Sequence, residues 1–149
     1  MNDPGFTLKD ELTALGLSAE NSVIIGSGIF DALGIRKSND VDVAVSPEDY
    51  ERLSKDIRFK HGEKYGRPVL LDDTFEICTS WYVLGKEYKL QDFMPETVVI
   101  DDVRYISLEF LLAVKQSWLQ DDDVRQKDID DVKLIETYLQ EKDGDKNSL

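Results

Sequence analysis

The stretch VIIGSGIFDALGIRKSNDVDVAV, residues 23–45, decides how this chain is read. Two apolar, strand-like runs are joined by the turn Gly26-Ser27-Gly28 and a polar connection. The second run carries Asp40 and Asp42, where a half-buried strand would ordinarily carry threonines or serines. Strand alternation puts Val41, Val43 and Val45 on one face and both aspartates on the other. Their Cα atoms then lie about 7 Å apart.

Two carboxylates at that spacing repel each other, and a half-buried sheet face raises the penalty for keeping both ionised. A cation between them relieves it. Magnesium suits the arrangement, because it takes one or two carboxylates, keeps several waters and shares its remaining positions with substrate phosphates. An isolated Asp-x-Asp is more simply explained as an edge strand whose charges prevent aggregation, so its neighbours decide. A strand running into glycines and a short helix presents backbone N–H groups suited to phosphate, and the Ser27 hydroxyl adds a donor. Arg36 and Lys37 on the connection could add phosphate contacts, although solvated loop charges are the plainer role. In DTFEICTSWYV, residues 73–83, Phe75 and Ile77 point one way while Glu76 and Cys78 point the other. A glutamate between two large apolar residues on a central strand is costly unless it is used.

The rest of the chain sets bounds. It has 149 residues, 41% hydrophobic, enough for one domain with a core that needs no disulfide. One cysteine, Cys78, rules out an internal disulfide and fits a reducing compartment. The opening MNDPGFTLKDEL lacks the basic start and apolar run of a signal peptide, and no apolar run reaches the roughly 18 residues of a membrane span. A cytoplasmic protein without a membrane partner is the expectation. The net charge of −13 disfavours bulk nucleic acid, whose binding needs lysine and arginine to displace counterions. A small anion bound through magnesium stays allowed. Residues 121–146 supply ten acids against five bases, the pattern of a solvated helix face followed by a tail.

The elements follow from local signals. Thr7 caps a helix carrying Leu8, Leu12 and Leu15, with Gly16 near its end. Ser22–Ile25 reads as a buried strand, residues 28–33 as a short helix and Asn39–Val45 as an alternating strand. Ser46, Pro47, Glu48 and Asp49 open a helix in the order cap, first position and dipole-favoured acids. RFKHGEKYGR reads as a loop or ragged edge. Strands are expected near Pro68–Leu71 and Thr74–Tyr82, then a hairpin of Thr97–Ile100 and Val103–Ile106 around Asp101-Asp102. Ser107 caps a helix to about Leu119, and a last helix spans about Val124–Leu139. The fold class is α/β in the broad sense (α+β): a mixed β-sheet covered by helices, with two C-terminal helices. Residues 1–140 form the single domain, and residues 141–149 form a flexible tail that frays.

Three pieces together, Ile25-Gly26-Ser27, Asp40-Val41-Asp42-Val43 and Phe75-Glu76-Ile77, resemble the nucleotidyltransferase superfamily. DNA polymerase β, the aminoglycoside nucleotidyltransferases and the small bacterial minimal nucleotidyltransferases belong to it. The resemblance covers residues 22–46 and 74–78. More loosely, VRYISLEFLLAVKQSWL (103–119) and RQKDIDDVKLI (125–135) look like the C-terminal helices of the small stand-alone members.

The resemblance implies a mixed sheet with a two-metal site for nucleotidyl transfer. Asp40 and Asp42 would hold Mg²⁺ ions that bridge a triphosphate, and Glu76 would complete the second metal site or deprotonate the attacking hydroxyl. Gly26, Ser27 and Gly28 would cradle the outer phosphates, with Lys37 as a further phosphate contact. Two cations clamping the attacking and leaving oxygens suit an in-line displacement. The expected activity is transfer of a nucleoside monophosphate from an NTP, ATP first among them, to a hydroxyl of a small molecule or a protein. The rival reading is a non-catalytic or regulatory member of the same fold, such as the antitoxin of a toxin–antitoxin pair with a small protein partner. The short chain motivates it.

Lys115 falls inside the apolar stripe of Leu108, Leu111, Leu112 and Leu119. Its amine should find a carboxylate of the site or a triphosphate, unless the stem packs and the head reaches water. Lys127 and Asp128 resemble a Lys-Asp pair of such relatives, while Asp128, Asp130 and Asp131 near a helix start are also explained by the helix dipole. His61 and Cys78 lack companions at metal or triad spacing. Trp81, Tyr82, Trp118 and Tyr138 read as core or rim, and nothing selects Tyr50 or Tyr65 for stacking on a base. The spatial expectation is that Asp40, Asp42 and Glu76 meet around a cation beside the glycine turn.

Overall fold

A computed structural model describes residues 7–38, 40–64 and 66–147, with side chains to residue 142. Asn39 and Tyr65, named above, lie outside the described residues. Six helices and nine strands are present among the described residues, seven of the strands in one mixed sheet, so the fold is α+β as expected.

Helix α1 (Leu8–Ala14) starts at Thr7, whose hydroxyl accepts from the Asp10 N–H while Asp10 returns a bond to the Thr7 N–H. This reciprocal box satisfies two backbone donors that the helix itself leaves open. Strand β1 (Ser22–Ile25) is buried at all four positions. Gly26 then turns the chain at φ +67° into the short helix α2 (Gly28–Ala32). Strand β2 (Val41–Val45) returns antiparallel to β1, with Ile25 opposite Asp42. Ser46 caps α3 (Pro47–Ser54), and proline sits in the first turn where no N–H is needed.

The next stretch departs from the expectation. KHGEK, expected as a loop or ragged edge, is a regular strand at the sheet edge, β3 (Lys60–Lys64), paired antiparallel with β4 (Arg67–Leu71). It forms the sheet edge, with all its side chains outside the core, so no apolar alternation marks it. The expected strand Thr74–Tyr82 is two strands in different sheets. Strand β5 (Phe75–Cys78) lies parallel to β2, and the chain leaves the sheet at Thr79. Strands β6 (Ser80–Val83) and β7 (Lys86–Lys89) then form a separate hairpin, closed by Leu84 and Gly85 at φ 54° and 72°. Aromatic packing accounts for the break: Trp81 lies 6.1 Å from Trp118 and 6.4 Å from Phe93, and Tyr88 stacks on Phe93 at 5.5 Å. Rather than extend β5, the hairpin covers this cluster.

Helix α4 (Leu90–Phe93) and a 3-10 turn lead to β8 (Thr97–Ile100) and β9 (Val103–Ile106). Their turn is Asp101-Asp102 at φ 50° and 64°, the double positive φ that a two-residue hairpin needs. Helix α5 (Leu108–Trp118) is capped by Ser107. Helix α6 (Gln126–Asn147) continues past the expected end near Leu139, so the backbone of residues 141–147 is helical.

The sheet order is β3-β4-β5-β2-β1-β9-β8. Strands β5, β2 and β1 are central, and their buried residues Phe75, Ile77, Val43, Val45, Val23 and Ile24 form much of the core. No helix among the described residues is long and apolar enough to cross a membrane.

Candidate active site

The glycine turn, the start of β2 and the start of β5 come together at one end of the central strands. Parallel pairing sets Val41 opposite Phe75, Asp42 opposite Glu76 and Val43 opposite Ile77. The apolar residues of both strands thus share the core face, and the two acids share the other. Burial raises the Asp42 carboxyl to about 7, helped by the charge of Glu76 and a hydrogen bond with it, while Lys64 opposes the shift. Asp40 adds to it from farther off. Lys64 is ion-paired with Glu76, whose side chain is 19% exposed.

The trio is only partly assembled. Asp40 is exposed and stands one residue before β2, at a bend rather than on the strand. Among the described residues, no group of three or more histidine, cysteine or carboxylate side chains is arranged to hold a metal ion. Asp42 and Glu76 are nevertheless two hard oxygen donors side by side, the donor chemistry that magnesium takes, with the Lys64 ammonium paired to Glu76.

The turn touches the carboxylates directly. A Cβ placed on Gly26 would lie 2.8 Å from Asp42 Oδ2, and Gly26 holds a left-handed backbone that a side chain would strain. At Gly28 a Cβ would meet Ile24 Cγ2 at 2.5 Å, so that glycine lets α2 pack on β1. Ser27 Oγ lies 3.3 Å from Ser38 Oγ, which links the turn to the loop before Asp40. Lys37 is exposed on that loop. A cleft of about 190 Å³ is lined by Gly26, Asp42, Lys64, Glu76 and Lys115. It shares Arg67, Trp81, Trp118 and Arg125 with a neighbouring cavity of about 660 Å³.

Lys115 has found its anions, but they belong to α6 rather than to the site. Its ammonium lies 3.1 Å from Asp128 and 3.0 Å from Asp131, and it sits over the Trp118 ring at 5.4 Å. Arg36 makes a two-pronged contact with Asp131 at 3.0 and 2.9 Å, and Arg125 reaches Asp128 at 3.2 Å. Asp128 stands in the first turn of α6 as the dipole reading expects, but it and Asp131 are also buried ion-pair partners; Asp130 stays on the flank, accepting from Gln126. Burial pushes the Asp131 carboxyl up, but hydrogen bonds from Arg36 and Lys115 outweigh it and hold the group below the usual carboxylate range. Lys115, Arg36 and Arg125 thus converge on two buried carboxylates behind the cleft. The network also fastens the loop before Asp40 to α6.

Several residues keep the plain roles expected of them. Burial pushes the Cys78 thiol up to about 12, far from nucleophilic use. His61 meets the Ser54 carbonyl at 2.9 Å. Arg67 has no distinguishing signal in the sequence, where it sits at the end of a polar, glycine-punctuated stretch. It opens β4, donates to Ser80 Oγ at 3.1 Å and lines both the cleft and the larger cavity.

Among solved structures, the chain matches the solution structure of the antibiotic-resistance factor ANT(2'')-Ia, an aminoglycoside nucleotidyltransferase. The TM-score is 0.51 at 20% identity, over 80% of this chain and 75% of that one. The fold is nucleotidyltransferase-like. At that identity the likeness is one of fold. No family model matches the chain, and no curated protein matches it significantly.

Proposed function

We propose that this chain is a magnesium-dependent nucleotidyltransferase that moves a nucleoside monophosphate, AMP from ATP first, to a hydroxyl acceptor. The observation that carries the reading is the register pairing of Asp42 with Glu76 beside Gly26, in a fold like that of an aminoglycoside nucleotidyltransferase. A carboxylate pair costs stability at the end of a central sheet, and cation binding is the use that repays it.

Asp42 and Glu76 would hold the metal, with Asp40 completing the set at the strand entry. The chemistry a magnesium ion would supply there is neutralisation of phosphate charge in favour of in-line attack at the α-phosphorus. Gly26 keeps the backbone free of side chain beside Asp42, so polyphosphate can approach it. Ser27 would add its hydroxyl and Lys37 a charge from the loop, while Gly28 is buried where α2 packs on Ile24 and would serve the cradle only by shaping the turn. Lys115 acts indirectly: paired with Asp128 and Asp131, it fixes the cleft wall. Where Glu76 does not hold a metal, it would accept the proton of the acceptor hydroxyl as the hydroxyl oxygen bonds to the α-phosphorus and pyrophosphate departs. The larger cavity adjoining the cleft, with Trp81 and Trp118 on the shared wall, offers room for the acceptor or the base.

The test is transfer of label from α-labelled ATP to acceptors in a cell extract, with magnesium. Labelled product with the native chain and none with Asp42→Ala or Glu76→Ala supports the reading. Equal labelling by the variants overturns it.

A further inference from the structure

Two lysines approach the carboxylate cleft, and the structure treats them differently. Lys115 is a fixed cation: its side chain is 5% exposed, held by two buried aspartates and covered by Trp118. Lys64 is half-exposed, at the end of edge strand β3, where the β3–β4 hairpin turns. Its ammonium leaves the edge and enters the cleft to pair with Glu76, beside Asp42. Every side chain of the strand lies outside the core, and an edge lysine ordinarily extends into water.

We propose that Lys64 is an exchangeable counter-cation: its ammonium takes the divalent ion's place against Glu76 and withdraws when that ion binds. The inference rests on Asp42 and Glu76 being metal ligands, as argued above. An ammonium and a divalent cation compete for the same carboxylate oxygens, so occupancy by one weakens the other by the same factor. The long, flexible and strongly hydrated lysine stem is suited to such release. A fixed arginine fork would hold the carboxylate more firmly. Lys64 is thus a positioning residue: it keeps the two acids together in the ion-free protein and sets the metal concentration at which the site fills.

The test uses Mn²⁺ alone, without nucleotide, titrated into the full chain while free Mn²⁺ is followed by electron paramagnetic resonance. Lys64→Met should bind Mn²⁺ about fivefold or more tightly than the native chain, as expected when a competitor is removed. Lys64→Arg, which keeps the charge, should bind no more tightly than native. In a second readout, acylation of Lys64 by an amine reagent, followed by mass spectrometry, should rise when Mn²⁺ is added. Native binding that Asp42→Asn abolishes, together with unchanged affinity in Lys64→Met and unchanged acylation, overturns the exchange while leaving the metal site standing. Absence of Mn²⁺ binding in every form overturns the metal reading and the exchange with it.

Discussion

Asp42 and Glu76 are register partners on adjacent parallel strands, so two carboxylates from segments more than thirty residues apart share one edge of a cleft. Backbone pairing fixes that neighbourhood; side-chain flexibility alone would not keep two like charges together. Parallel pairing keeps alternating faces in step, which is why both acids escape the core that Val43 and Ile77 enter.

That pairing gives a pH signature. Burial, reinforced by Glu76, raises Asp42 from an ordinary 3.8 to about 7. Between those values the folded chain binds more protons than the unfolded one, so this group's contribution to stability falls as pH rises from about 4 to 7. Asp42→Asn should remove that slope and leave the protein more stable than native at pH 8. Urea unfolding at pH 5 and pH 8, without divalent ions, reads it. A native-like slope in the variant would contradict the assignment.

Gly26→Ala should damage both stability and the site. The left-handed backbone costs a side chain about 1–2 kcal/mol, and the added Cβ would press on Asp42 Oδ2. Gly34 is the control, with φ +71° and nothing within 4 Å of its Cβ direction. Gly34→Ala should lose similar stability yet bind Mg-ATP like native. Equal binding by the two variants would argue against Gly26 as part of the site.

Lys115→Met should lower stability by about 1.5–3 kcal/mol, the range for lost charge-assisted hydrogen bonds, because Asp128 and Asp131 lose the cation they share and keep one arginine each. Asp131 is held below the usual carboxylate range, so its contribution is full above about pH 4 and fades as pH falls. Without Lys115 that acid-side dependence should shrink. Thermal unfolding at pH 3.5 and pH 7 compares them, and an unchanged midpoint at pH 7 would show the network to be dispensable.

Both tryptophans of the chain, Trp81 and Trp118, line the cleft and the larger cavity. Mg-ATP binding should therefore change the intrinsic fluorescence, with no change in Asp42→Asn. A titration that leaves native emission flat would place the nucleotide elsewhere.

The sequence was most legible where burial and local chemistry agree. Strand alternation located Val43 and Asp42 on opposite faces, and Thr7, Ser46 and Ser107 cap helices where their hydroxyls reach the first-turn N–H groups. Strand β3 was not legible, since KHGEK buries nothing and carries no period. The end of β5 at Thr79 was missed because the decision lies with Trp81 and Tyr88 packing on Phe93, a contact no local window contains. For the candidate site, the two acids of β2 and the acid of β5 could be picked out by type and spacing. The partners of Lys115 could not, because Asp128 and Asp131 reach it only once α6 folds back on α5. Lys64 carries no local signal, because its stretch is polar and glycine-punctuated.

The most direct measurement is calorimetric titration of Mg-ATP into the native chain, Asp42→Ala and Glu76→Ala. The account predicts magnesium-dependent binding to the native chain that falls at least about tenfold in each variant, the loss expected when a charged ligand contact is removed. Binding that needs no magnesium, or that all three proteins share equally, would contradict it.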